Sequence, residues 1–157
     1  EKLILDGFQA GLSWITILRK RDHFRKVFDG FRPDVVASYG PEKVAVLMED
    51  PGIIRNRAKI VGTVKAAGIY CDMMGRGEGF SDYLWNYVDG RPLQPNFRDR
   101  SHVPTETEVA QKLSKDLKAR GFSFVGPTIV YAFMQAVGMT NDHMVGCFRH
   151  EEVKALG

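Results

Sequence analysis

Three groups of residues in this sequence have types and spacings that could do chemistry. The first is Asp6 with Trp14, in the run Leu5-Asp6-Gly7-Phe8-Gln9-Ala10-Gly11-Leu12-Ser13-Trp14. At helical spacing Asp6, Gln9 or Ala10, and Ser13 share one face, with Trp14 beside it. An acid next to an aromatic face can grip a flat cationic ring by charge and stacking. The same residues also suit a solvated Asp and a core Trp. Gly7 and Gly11 each weaken a helix by roughly 1 kcal/mol, and a helix that keeps two glycines lets a backbone or a ligand come close.

The second group is Gly121-Phe122-Ser123-Phe124-Val125-Gly126, followed by Pro127 and Thr128. Two glycines bracket a short apolar turn, and Pro127 is suited to the first position of a helix. Backbone N–H groups exposed at such a place hold a phosphate without sequence preference. Lys112, Lys115, Lys118 and Arg120 precede it and add positive charge. An ordinary αα-hairpin with a hydrophobic turn reads the same way. The third group is His143 and Cys147. On a helix they would face one way, as two zinc ligands do. Structural zinc takes four ligands, and Cys71, His23, His102 and His150 show no metal spacing. From spacing alone, a buried polar pair is the competing reading.

The elements that must position these groups read as helices. Leu5, Phe8, Leu12, Ile15 and Leu18 recur at spacings of three and four, which predicts one amphipathic helix over Glu1–Lys20. Phe24, Val27, Phe28 and Phe31 continue the pattern over Arg21–Phe31. Short helices are expected at Pro33–Ser38 and Pro41–Met48, and a turn at Pro51-Gly52. A longer helix is expected over Arg55–Met74, with Ile60, Val61, Val64, Ala67 and Cys71 on one face and the Gly75–Gly79 run at its end. Ser81 suits the cap of a short aromatic helix through Val88, and 89–103 reads as a loop. Thr105-Glu106-Thr107-Glu108 resembles a capping box for a helix through Leu117, and Pro127 opens another through Val137. No alternating segment of convincing length appears, so the fold class is all-α, a single helical domain over 1–157.

Composition agrees with a globular chain. Its 157 residues suit one domain, and 44% hydrophobic with 26% charged residues excludes disordered and fibrous classes. No apolar run approaches the roughly 18 residues of a membrane span, so no membrane partner is expected. Cys71 and Cys147 cannot build a disulfide framework, which points to a reducing cytosol. A net charge of +3 permits a nucleic-acid partner without requiring one. No cap precedes Leu3 and no initiator Met opens the chain, so a fragment, or a protein that has lost its N-terminus, is expected.

The run Asp6–Leu18 resembles the signature of the DNA-3-methyladenine glycosylase I family. So do Gly52-Ile53-Ile54-Arg55-Asn56-Arg57-Ala58-Lys59-Ile60, then Gly121–Thr128, and finally Asn141-Asp142-His143-Met144-Val145-Gly146-Cys147, in family order along nearly the whole chain. The resemblance implies a helix-hairpin-helix DNA glycosylase fold with a structural zinc. It implies removal of 3-methyladenine from alkylated double-stranded DNA by base flipping, in a monomeric bacterial cytoplasmic enzyme. Asp6 and Trp14 would be the catalytic and base-binding residues, with Trp14 stacked on the flipped base and Asp6 where the family usually has Glu. Gly11 and Leu12 would fill the gap left in the duplex. Gly121, Phe122, Gly126 and Thr128 would anchor the DNA backbone, and His143 and Cys147 match two of four zinc ligands. The other two, a Cys and a His, normally come from a family segment upstream of the helix that opens this sequence.

Asn141 falls, by analogy, where the wider superfamily usually carries a catalytic Asp. Pro127-Thr128 follows the hairpin with no Lys to form a Schiff base, so a monofunctional enzyme without lyase activity is expected. Two alternatives come from other classes. One is a non-catalytic helix-hairpin-helix DNA-binding module. The other is a zinc-stabilised interaction domain with no nucleic-acid role.

Overall fold

Helix breaks, more than helix faces, decide how this chain folds. The computed structural model describes residues 1–156. Nine α-helices lie among them: α1 Lys2–Gln9, α2 Trp14–Val27, α3 Pro33–Ala37, α4 Pro41–Glu49, α5 Arg57–Gly75, α6 Phe80–Trp85, α7 Glu108–Ala119, α8 Pro127–Ala136 and α9 Arg149–Lys154. The only β-type pairing among the described residues is an isolated parallel bridge, Leu93 with Thr140. The all-α expectation stands.

Local chemistry sets most of the boundaries. Pro33, Pro41 and Pro127 each open a helix, where their missing N–H costs nothing. Asn56 caps α5 by accepting from the Lys59 N–H, and Thr107 caps α7 by accepting from the Ala110 N–H. Ser81 does not cap α6. That helix starts one residue earlier, behind Gly79, without a side-chain cap. Glu1 precedes α1, and its carboxylate takes hydrogen bonds from Arg21 and Arg25 at 2.7 and 2.9 Å.

The predicted single helix over Glu1–Lys20 is wrong. It divides at Ala10–Ser13, where Ala10 is extended and Gly11 is left-handed at φ +79°. The Leu12 N–H returns to the Gln9 carbonyl at 2.7 Å, and Ser13 restarts the chain as α2. Asp6 and Ser13 therefore do not share a helical face. The expected helix over Arg21–Phe31 is likewise the end of α2, followed by a 3-10 turn at Asp29–Phe31.

Two apolar clusters make the core. One joins Leu3 of α1 to Ala66 and Met73 of α5, to Leu113 and Leu117 of α7, and to Val130 and Met134 of α8. The other joins Leu5 and Phe8 of α1 to Ile17 and Phe24 of α2, Phe28, Leu47 of α4 and Ile60 of α5. Phe8 meets Phe24 edge-on at 4.8 Å, a geometry worth about 0.5–1.5 kcal/mol beyond its buried area. Both clusters use α1 and α5, so these two helices hold the halves of the molecule together. Asp6 sits on α1, at the junction.

Candidate functional site

Asp6 is 3% exposed, which is rare for a carboxylate unless it is paired or functional. Its Oδ1 accepts from the Lys2 ammonium one turn away, and its Oδ2 has no hydrogen-bond partner. Burial pushes the Asp6 carboxyl above its ordinary range, while the Lys2 ammonium pulls it back. The same ammonium lies 4.3 Å from the centroid of the Trp14 ring. One cation thus touches both the carboxylate and the aromatic face, so the two lie within reach of one small cationic ligand.

Trp14 is 37% exposed, not a core residue, and Leu12 and Ile15 beside it are exposed as well. The break at Ala10–Ser13 is what turns these side chains outward. A buried cation supports the break from behind: the Lys59 ammonium donates to the carbonyls of Phe8 and Ala10 at 2.8 and 2.7 Å, closing the C-terminus of α1. Burial pulls this ammonium below its ordinary value. It also lies 5.6 Å from the Phe124 ring of the 121–126 hairpin.

The hairpin packs directly on α1. A Cβ on Gly7 would lie 3.2 Å from both the Cβ and the carbonyl oxygen of Phe124, so the helix and the hairpin can approach this closely only at a glycine. The end of α7 is a Schellman motif: the Phe122 N–H bonds to the Leu117 carbonyl and the Gly121 N–H to the Lys118 carbonyl. Gly121 sits at φ +102°, in the left-handed region. The buried Ser114 hydroxyl donates to the Val125 carbonyl at 2.6 Å and fixes the far side of the turn. Gly126 then precedes α8, whose first turn presents the Thr128 backbone at its surface.

Arg120 does not belong with the free lysines. It pairs with Glu78 at 2.7 Å, stacks on Tyr83 at 4.3 Å and contacts Asp116 at 3.4 Å. Asp116 also accepts from the Tyr87 and Tyr83 hydroxyls, and these bonds hold its carboxyl below the ordinary range. This cluster braces the base of the hairpin. Lys112, Lys115 and Lys118 are exposed along α7, where their charge is available to an anionic partner.

His143 and Cys147 lie in a turn-rich loop before α9, not on a helix as their spacing suggested. The loop still brings them together, with Cys147 Sγ 3.6 Å from His143 Nδ1. The His150 ring bonds to the His143 carbonyl at 2.8 Å and closes the loop. Among the described residues no group of three or more His, Cys, Asp or Glu side chains could hold a metal ion. The pair therefore falls two donors short of a tetrahedral zinc site by itself. Asn141 is buried, its amide donating to Gln94 and to the His150 carbonyl, so its contacts hold the loop.

Lys2 and Lys59 were not singled out from sequence. The i, i+4 spacing of Lys2 and Asp6 was a usable signal. Lys59 left none, because its partners are backbone carbonyls far away in the chain.

The chain is similar to known proteins over most of its length. The family model for methyladenine glycosylase matches residues 1–150. The DNA-3-methyladenine glycosylase of Haemophilus influenzae is 46% identical over 147 residues, covering 94% of this chain and 80% of that protein. DNA-3-methyladenine glycosylase 1 of Escherichia coli is 48% identical, covering 94% of this chain and 79% of that one. The crystal structure of a 3-methyladenine DNA glycosylase I superposes with a TM-score of 0.92 at 45% identity, over 95% of this chain and 82% of that one. The Staphylococcus aureus enzyme, solved to explain 3-methyladenine recognition, superposes at 0.89 with 36% identity, over 94% of this chain and 78% of its own. The chain belongs to the methyladenine glycosylase family.

Proposed function

We infer that this protein hydrolyses the N-glycosidic bond of 3-methyladenine in alkylated double-stranded DNA, as a base-excision repair glycosylase. The observation that carries this reading is the buried Asp6 carboxylate, with one oxygen free, sharing a cation with the exposed Trp14 ring. A base inside a duplex is out of reach and must be flipped out, at a cost of a few kcal/mol. Methylation at N3 makes the base cationic. Asp6 answers that charge and Trp14 takes the ring face. Leu12 fills the vacated stack, a role its exposure on the turn at Gly11 supports. The hairpin from Gly121 and Phe122 to Gly126, with the start of α8 at Thr128, holds the DNA backbone through main-chain N–H groups.

A cationic purine is already a good leaving group, because it departs neutral, so the site needs charge complementarity more than a strong acid or base. With Pro127-Thr128 after the hairpin and no Lys there, the reaction is a simple hydrolysis without strand cleavage. The protein acts as a monomer in the bacterial cytoplasm. Among the described residues no helix is long and apolar enough to cross a membrane. His143 and Cys147 would hold a structural zinc if two further donors join them. Such a metal would rigidify the loop before α9 and takes no part in the cleavage.

The test measures base release and DNA affinity together. Asp6→Asn should abolish most release of 3-methyladenine while leaving DNA binding intact. Equal loss of both would remove Asp6 from the base site.

A further inference from the structure

The ammonium of Lys2 occupies the place that the proposed function assigns to the base. It bonds to Asp6 Oδ1 and sits 4.3 Å from the Trp14 centroid. This is no ordinary surface pair, since the Asp6 side chain is 4% exposed and that of Lys2 30%. Asp6 Oδ2 stays open, but the Lys2 ammonium lies over the ring face that a stacked base needs and repels a second cation there, so the base and Lys2 compete for Asp6 and Trp14. Lys2 has a flexible four-carbon stem that reaches solvent, and it can leave by rotamer changes alone.

We propose that Lys2 is a specificity-determining residue: its ammonium fills the cation position between Asp6 and Trp14, and only a positively charged base can replace it without leaving Asp6 unpaired. The inference rests on the base site proposed above. With Lys2 in place the buried carboxylate and the ammonium balance. When a methylated, cationic base enters, Lys2 moves to water and the base takes over the balance. When a neutral adenine enters, Asp6 is left either as a buried unpaired anion or in need of a proton, and both are costly.

The exchange also runs in reverse after cleavage. The bond between sugar C1′ and the purine nitrogen breaks, and its electron pair stays on the purine, which becomes neutral. Water oxygen bonds to C1′ and releases a proton to solvent. The product no longer answers the charge of Asp6, so Lys2 returns and drives the base out. The free site therefore favours substrate over product, through a residue that never touches the scissile bond.

The test compares Lys2→Met with Lys2→Arg in the intact chain. Each is assayed for inhibition of excision by free 3-methyladenine and by free adenine, with binding followed independently by tryptophan fluorescence. Lys2→Met should tighten both inhibition constants by about tenfold, the scale of one partly exposed ion pair with an aromatic contact. Lys2→Arg keeps the cation and should stay within about twofold of wild type on the same scale. Unchanged constants in Lys2→Met, or an Arg variant that behaves like the Met variant, would overturn the proposal while wild-type release of 3-methyladenine leaves the glycosylase reading intact. Absence of release by the wild type would overturn both.

Discussion

Replacing Lys59 with methionine should loosen the turn that carries Gly11 and Leu12. The side chain lies 7% exposed, and its ammonium makes two hydrogen bonds to the carbonyls of Phe8 and Ala10. A hydrogen bond from a charged donor is worth about 1.5–3 kcal/mol, so the pair contributes about 3–6 kcal/mol. Burying the ammonium opposes this, as its lowered pKa shows, and methionine of similar length removes that cost. The net destabilisation is about 2–4 kcal/mol, because two carbonyls at the end of α1 are left without donors. For a chain of this size that lowers the melting temperature by about 5–15 °C. Thermal denaturation checks the stability. Base release, measured well below the melting temperature of the variant, checks the turn and should also fall. A melting temperature within about 2 °C of wild type would refute the claim that Lys59 closes α1. A destabilised variant with full base release would separate Lys59 from the turn.

Other consequences follow from the same geometry. Asp6 is needed as a carboxylate and burial raises its pKa, so excision should fall as pH drops through that raised value. Asp6→Asn should remove this acid limb along with most of the activity, seen in the pH profile of base release. Asp6→Glu, which adds about 1.5 Å of reach, should maintain or improve excision, and a sharp loss would count against the assigned role. Gly121→Ala places a side chain at φ +102° and within 3.1 Å of Lys65, so it should weaken DNA binding in a titration at fixed salt, by about tenfold for a strain of 1–2 kcal/mol. Borohydride treatment during turnover should trap no protein–DNA adduct, and a trapped adduct would contradict simple hydrolysis.

The elements legible in the sequence were those closed by local chemistry. Pro127, Thr107 and the glycine after α7 act through their own backbone and immediate neighbours, so the hairpin and its flanking helices were legible, although α7 is capped by Thr107 alone, with Glu108 as its first residue, and not by the expected Thr105–Glu108 capping box. The break at Ala10–Ser13 did not, because apolar spacing runs through it unbroken. Leu5 and Phe8 are buried, but Leu12, Ile15 and Leu18 continue the same period on the exposed side, and Ile17 carries the packing instead. Apolar periodicity reports a core face only when the face meets a core, and in this helix pair part of it faces solvent. His143 and Cys147 show the converse. Their spacing suggested a helix, yet a loop closed by His150 and Asn141 brings them together. The resemblance to the glycosylase family pointed to Asp6 and Trp14 as the base site proposed here, but Lys2 between them needed the structure, since its meaning lies in what it touches.

The most direct test is to incubate this chain with methylated duplex DNA and quantify the released bases by chromatography. The account predicts free 3-methyladenine, with the DNA strands left uncut. Intact methylated DNA, bound by the protein but releasing no base, would contradict it and leave a DNA-binding module without catalysis.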